Sequence, residues 1–116
     1  MGIVVSPAEL PTAEVRDLPK DGLVLLDVRE DDEWTAGHAP EARHLPMSQL
    51  TGRLDEVPAA DPLYVICRSG SRSARVVAFL SQQGVPAVNV AGGMQSWAAA
   101  GRPMVAERAG ATPDVV

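Results

Sequence analysis

The 116 residues are enough for one domain, and a hydrophobic content of 46% with only 3% aromatic residues indicates an ordinary soluble protein with an aliphatic core. The formal net charge of -5 argues against nucleic acid or an anionic membrane as a partner, because both favour a basic surface. The single cysteine excludes an internal disulfide, and no cysteine and histidine cluster has metal-ligand spacing, so neither a metal nor another cofactor is predicted. The amino terminus has no signal-peptide or membrane-span pattern, and we expect a cytoplasmic protein.

Strand and helix patterns alternate along the chain. A short apolar run at residues 3–5 precedes a capping-box pattern at residues 6–9, which predicts a strand and then a helix. A longer apolar run at residues 23–28 predicts a strand buried on both faces of a parallel sheet, followed by a short helix over residues 30–36. The later predictions are a strand at 43–45, a helix at 48–56, a strand at 63–66, a helix at 73–83, a strand at 87–90 and a helix at 93–100.

This alternation is typical of an α/β domain. We expect residues 1–105 to form a mainly parallel five-stranded sheet with helices on both faces. Residues 106–116 have no such pattern and are expected to form a flexible carboxyl-terminal tail. In open parallel sheets, ligands bind beyond the carboxyl ends of the strands, so a functional site is expected at that edge.

Cys67 directly follows the predicted strand at 63–66 and is therefore a candidate nucleophile at that edge. The loop it begins continues with Arg68, Ser69, Gly70, Ser71, Arg72 and Ser73. The arginines and the amino terminus of the following helix should favour the thiolate, and the small residues allow backbone N–H groups to surround an anion. The structural alternative is a buried cysteine in a plain strand-to-helix connection.

Separated segments of the chain resemble the rhodanese-like family of cysteine-dependent sulfurtransferases. The loop CRSGSRS matches the family pattern C-R-x-G-x-R-S, and residues 25–38, LLDVREDDEWTAGH, resemble its D-V-R-E-x-x-E-[FYW]-x-x-G-H segment. Residues 92–97, GGMQSW, resemble its G-G-x-x-x-W segment, and residues 101–103, GRP, its closing G-x-P. Departures occur in the loop after residue 38, at Ala39, Glu41 and Arg43, which puts the path of that loop in doubt.

The resemblance implies a doubly wound parallel sheet and a sulfurtransferase that works through a persulfide on Cys67. A small anionic donor such as thiosulfate would supply the sulfur, and cyanide or a thiol would remove it; a thioredoxin-like or sulfur-carrier protein is the expected protein acceptor. Backbone N–H groups of residues 68–73 would stabilise the persulfide, and Arg68 and Arg72 would recruit the donor.

Four residues outside the loop are expected to support it. Asp27 could be a general base, but its place in a buried strand favours an ion-pair network with Arg29 and Glu33 that holds the adjacent loop. His38 is expected to anchor its loop through a hydrogen bond, because sulfur transfer from thiosulfate needs no proton shuttle once the thiol is ionised.

Two other functions remain open at this point. One is a rhodanese-like module that relays sulfur between proteins or has no enzymatic activity. The other is a phosphatase, but phosphate-binding loops of that kind follow the pattern C-x5-R, whereas Arg72 is at position +5 from Cys67 and Ser73 at +6. The shorter loop favours sulfur as the cargo.

Overall fold

The structure is a computed structural model that describes residues 10–116. The strands in this part of the chain are β1 (Thr12–Ala13), β2 (Leu25–Asp27), β3 (Arg43–His44), β4 (Leu63–Ile66) and β5 (Ala87–Val90). The α-helices are α1 (Asp31–Ala36), α2 (Ser71–Gln82) and α3 (Gly93–Ala99), and short 3-10 helices occupy Val15–Asp17, Met47–Gly52 and Leu54–Glu56. The strand predicted at 3–5 and the helix predicted at 6–9 lie outside the described residues. None of the helices found between residues 10 and 116 has the length and apolarity needed to cross a bilayer.

The five strands form one parallel sheet in the order β1-β5-β4-β2-β3. Two apolar clusters flank it. One contains Val76 and Leu80 of α2, and the other contains Met94 and Trp97 of α3, so the two helices cover opposite faces. The predicted α/β fold is confirmed. Because β4 is the middle strand, the chain leaves the centre of the sheet at Cys67, on the edge where ligands bind in such folds.

The helix predicted at 48–56 is wrong. This segment forms two 3-10 helices instead, Met47–Gly52 and Leu54–Glu56. Arg53 separates them with φ -134° and ψ 33°, which is not a helical conformation. Glycine at position 52 has low helix propensity and weakens any continuous α-helix there.

Helix α2 begins at Ser71, two residues before the predicted start at residue 73. Its N-cap residue is Gly70, whose φ of 104° lies in the left-handed region that glycine adopts without strain. The earlier start places Ser73 inside the first turn of the helix, where its side chain is fully buried.

Asp27 and Arg29 form an ion pair in which both side chains are 0% exposed. Arg29 Nη2 lies 2.8 Å from Asp27 Oδ2, and Nε donates to both carboxylate oxygens at 3.0 and 3.1 Å. The same guanidinium donates to the carbonyl oxygens of Glu33, at 3.3 Å, and Gly37, at 2.7 Å. Glu33 lies in the first turn of α1, and Gly37 is the residue that follows the last turn. The ion pair therefore holds both ends of α1 against β2.

The carboxyl-terminal tail lies against α1. The N–H groups of Glu107 and Asp114 donate to the carbonyls of Thr35 and Ala36, at 3.1 and 2.9 Å. A Cβ atom at Gly37 would lie 2.6 Å from the carbonyl oxygen of Asp114, so this close approach requires glycine. The flexibility of the tail stays a prediction, and these contacts define where the tail docks.

Replacing Arg29 with methionine should lower the free energy of unfolding by about 3–5 kcal/mol, because Asp27 would remain buried without its partner. Urea denaturation followed by circular dichroism measures this change. Arg16→Met is the matched control, since Arg16 is an exposed arginine and its loss should change stability little. A loss of stability for Arg29→Met no larger than that of the control would contradict the structural role of the pair.

Candidate active site

The amino terminus of α3 fixes the backbone at Cys67. The N–H of Met94 donates to the Cys67 carbonyl at 2.8 Å, and the N–H of Gln95 donates to the Arg68 carbonyl at 3.0 Å. A Cβ atom at Gly93 would lie 2.7 Å from that Arg68 oxygen, and φ at this residue is 55°. Glycine is therefore required where α3 meets the start of the loop.

The sulfur of Cys67 accepts one hydrogen bond from its loop and one from the first turn of α2. The N–H of Gly70 lies 3.1 Å from Sγ, and the hydroxyl of Ser73 lies 3.2 Å from it. Burial raises the pKa of the Cys67 thiol, but the Ser73 hydroxyl and the backbone N–H groups of Ser73, Gly70 and Ser69 outweigh it and bring the pKa below its ordinary value. The loop thus favours an anionic sulfur without a general base.

Cys67 also belongs to the apolar core, and its side chain is 0% exposed. The structural alternative, a buried cysteine, is therefore correct for the packing of Cys67. Its sulfur differs from that of an inert core cysteine because polar donors surround it. At the rim of the loop, Arg68, Ser69 and Ser71 are exposed.

Asn89 is a site residue that the sequence reasoning missed. Its Oδ1 lies 2.6 Å from the Ser73 hydroxyl, and its Nδ2 donates to the Gly70 carbonyl at 3.2 Å. Because the hydroxyl has one proton, it donates either to Asn89 or to the Cys67 sulfur. The thiol form can donate a hydrogen bond to the Ser73 oxygen, whereas the thiolate can only accept a hydrogen bond from the Ser73 hydroxyl. The sequence feature that could have identified Asn89 is its polar side chain within the otherwise apolar strand β5.

The ion-pair network predicted for Asp27, Arg29 and Glu33 divides into two separate pairs. Glu33 contacts Arg29 through its backbone carbonyl, and its carboxylate instead binds Arg72 of the loop. The two Nη atoms of Arg72 lie 2.7 Å from the two carboxylate oxygens, a forked geometry. Arg72 holds the pKa of Glu33 below its usual range. Arg68 and Arg75 are exposed.

His38 lies in a stack of aromatic rings. Its Nδ1 is 2.9 Å from the Ala39 carbonyl oxygen, and its backbone pairs with Val105. The Trp34 ring stacks between His38, at 3.5 Å between centroids, and His44, at 4.6 Å. The structure therefore places His38 beside α1 and the tail and gives it no hydrogen bond to Cys67 among the described residues.

Comparison with known proteins agrees with this geometry. A family model described as a rhodanese-like domain matches residues 11–100. The chain belongs to the rhodanese-like family. Its matched region contains every element of the sheet that the structure describes and the whole Cys67 loop.

Individual relatives place the chain among rhodanese-like sulfurtransferases. A sulfurtransferase from Allochromatium vinosum is 39% identical over 87 residues, which cover 74% of this chain and 81% of the relative. The thiosulfate sulfurtransferase GlpE of Pseudomonas syringae is 32% identical over 89 residues, covering 76% and 84%. A solved rhodanese-related structure from Thermoplasma volcanium has a TM-score of 0.76 and 36% identity, covering 82% of this chain and 97% of that one.

Replacing Ser73 with alanine should raise the pKa of the Cys67 thiol, because the largest stabilising hydrogen bond to the thiolate is lost. The rate of alkylation by iodoacetamide follows the thiolate fraction, so its pH profile should move to higher pH and the rate near neutrality should fall several-fold. Ser71→Ala is the matched control, since Ser71 is exposed and in the same loop. A profile that moves equally in both variants would contradict a specific role for Ser73.

Proposed function

We propose that this protein transfers sulfane sulfur from thiosulfate or a related donor to a thiophilic acceptor through a persulfide on Cys67. The observation that carries the proposal is the position of Cys67 Sγ, at hydrogen-bond distance from the Gly70 N–H and the Ser73 hydroxyl. These donors favour the thiolate that must attack the sulfur donor. The Pseudomonas relative that is named a thiosulfate sulfurtransferase supports thiosulfate as the first donor to test.

The first half-reaction forms one bond and breaks another. The Cys67 thiolate attacks the outer sulfur of thiosulfate, a new S–S bond forms, and sulfite leaves with the electron pair of the broken S–S bond. The product is a persulfide anion on Cys67. Backbone N–H groups of the loop and the first turn of α2 are suited to stabilise this anion, because they are not used by helical hydrogen bonds.

The second half-reaction restores the thiolate. Cyanide attacks the terminal persulfide sulfur and leaves as thiocyanate, or a thiol attacks it and leaves as a new persulfide. Neither step requires His38 or Asp27 as a base, because the attacking groups react as anions. This agrees with the lack of a hydrogen bond between His38 and Cys67 in residues 10–116, where His38 Nδ1 contacts the Ala39 carbonyl, and with the engagement of Asp27 by Arg29.

A protein-to-protein sulfur relay is the second candidate. A shallow, mainly apolar groove of about 270 Å³ begins one helical turn after Arg72, between α2 and the 3-10 helix Met47–Gly52. Its lining includes Phe79 and Arg75. This surface supports contact with an acceptor protein such as a thioredoxin-like or sulfur-carrier protein. Faster sulfur transfer to reduced thioredoxin than to cyanide would favour the relay.

Phosphate-ester hydrolysis is the less favoured activity. The loop has Arg72 at position +5 from Cys67, one residue short of the C-x5-R pattern. Hydrolysis of an aryl phosphate at a rate comparable with sulfur transfer would overturn the sulfurtransferase assignment.

Incubation of the reduced protein with thiosulfate should add the mass of one sulfur atom, and cyanide should then remove it as thiocyanate. Cys67→Ser should abolish the adduct and lower thiocyanate formation by more than about a thousandfold, because it removes the nucleophile. Intact-mass spectrometry and a colorimetric thiocyanate assay measure the two steps.

The control for that experiment is Ser71→Ala, which changes the same loop and keeps the sulfur. Circular dichroism should show that both variants fold. Absence of the adduct in the reduced wild-type protein, or substantial turnover by Cys67→Ser, would overturn the proposed function.

A further inference from the structure

The pair between Glu33 and Arg72 differs from an ordinary surface salt bridge. Both Nη atoms of Arg72 meet both oxygens of Glu33, and the side chains are only 28% and 13% exposed. A forked pair of this kind is more specific than a single exposed contact, because the planar groups fit each other in one orientation. The charge of Arg72 is therefore compensated in the structure.

Glu33 is positioned by contacts other than the one with Arg72. Its carboxylate accepts the N–H of Glu30 at 3.1 Å and forms the capping box of α1. Its carbonyl accepts a hydrogen bond from Arg29, whose own charge is compensated by Asp27. The capping box and the buried ion pair thus hold the carboxylate at the edge of the Cys67 loop.

Arg72 directly precedes Ser73 in the first turn of α2, and the hydroxyl of Ser73 lies 3.2 Å from the Cys67 sulfur, so the compensated arginine is next to a residue that contacts the reacting atom. Glu33 raises the pKa of Arg72, and an anionic Cys67 adds to this effect. Removing the charge of Glu33 would therefore leave one more uncompensated positive charge beside the sulfur. Such a charge attracts a dianion about twice as strongly as a monoanion.

We propose that Glu33 is a specificity-determining residue that compensates Arg72 and so reduces the preference of the site for dianionic sulfur donors over monoanionic ones. This inference rests on the proposed sulfurtransferase function and names the charge class of the donor. Thiosulfate is a dianion that releases sulfite. Methanethiosulfonate is a monoanion with the same reacting sulfur, and it releases methanesulfinate with the electron pair of the broken S–S bond.

The test compares the second-order rate constants for persulfide formation with these two donors. Glu33→Gln removes the charge and retains a side chain that can complete the capping box. It should raise the ratio of the thiosulfate constant to the methanethiosulfonate constant by about threefold, as expected for one added unit charge a few ångströms from the donor. The ratio cancels any change in the thiolate fraction of Cys67, which affects both donors equally.

The matched control is Asp32→Asn. Asp32 is an exposed carboxylate on the same helix, so its removal changes the net charge equally without altering the Arg72 pair. The donor ratio of this variant should remain that of the wild type. In 1 M salt the difference between Glu33→Gln and the wild type should shrink, because the effect is electrostatic.

A double variant tests the pair itself. Arg72→Gln alone should lower the donor ratio, and Glu33→Gln with Arg72→Gln should return it close to the wild-type value, since both charges are then gone. Should Glu33→Gln not fold, Arg72→Gln alone still tests the inference, because it leaves the charge of Glu33 uncompensated, and a donor ratio that does not fall would overturn it.

An unchanged or lower donor ratio in Glu33→Gln, or an equal rise in Asp32→Asn, would overturn the inference while leaving sulfur transfer intact. Absence of persulfide formation by the wild type with both donors would instead overturn the proposed function. The two failures are therefore distinguishable by the wild-type measurement alone.

Discussion

The buried ion pair between Asp27 and Arg29 is the interaction on which the geometry of the site depends. Burial of two charges is costly, and it is tolerated here because the carboxylate receives several donors and the remaining guanidinium N–H groups bind the carbonyls of Glu33 and Gly37. As a result α1 has one position on β2. Loss of either partner would release the helix that borders the Cys67 loop.

The position of α1 connects this structural pair to the chemistry of the loop. Glu33 extends from α1 to Arg72, so the charge around Cys67 is set by two elements distant in sequence. The sulfur itself receives its donors from the loop and from α2, where the Ser73 hydroxyl is shared with Asn89. The site therefore separates two tasks: local donors stabilise the sulfur anion, and the ion pair on the rim adjusts the field that an incoming donor meets.

The strands at 63–66 and 87–90 were predicted with the boundaries that the structure has. Both are short, mainly apolar runs buried on two faces. This pattern is formed by residues adjacent in the sequence, so it can be recognised without the tertiary structure. The helix predicted at 48–56 was wrong because the apolar periodicity of a segment does not distinguish an α-helix from successive 3-10 turns. The start of α2 was misplaced because Gly70 adopts a left-handed conformation at the N-cap, where its carbonyl accepts a hydrogen bond from the distant Asn89 of β5.

The sequence by itself determined the fold class, the family and the place of Cys67 at the end of a strand, because these depend on local patterns and residue order. The tertiary structure alone decided which carboxylate binds which arginine. Glu33 was expected to bind Arg29, four residues away, yet its carboxylate binds Arg72. The tertiary structure also places Asn89 next to the Cys67 loop. Both outcomes are set by distances between side chains that are remote in sequence, and ion pairs and hydrogen bonds form only where folding brings their atoms within about 3 Å.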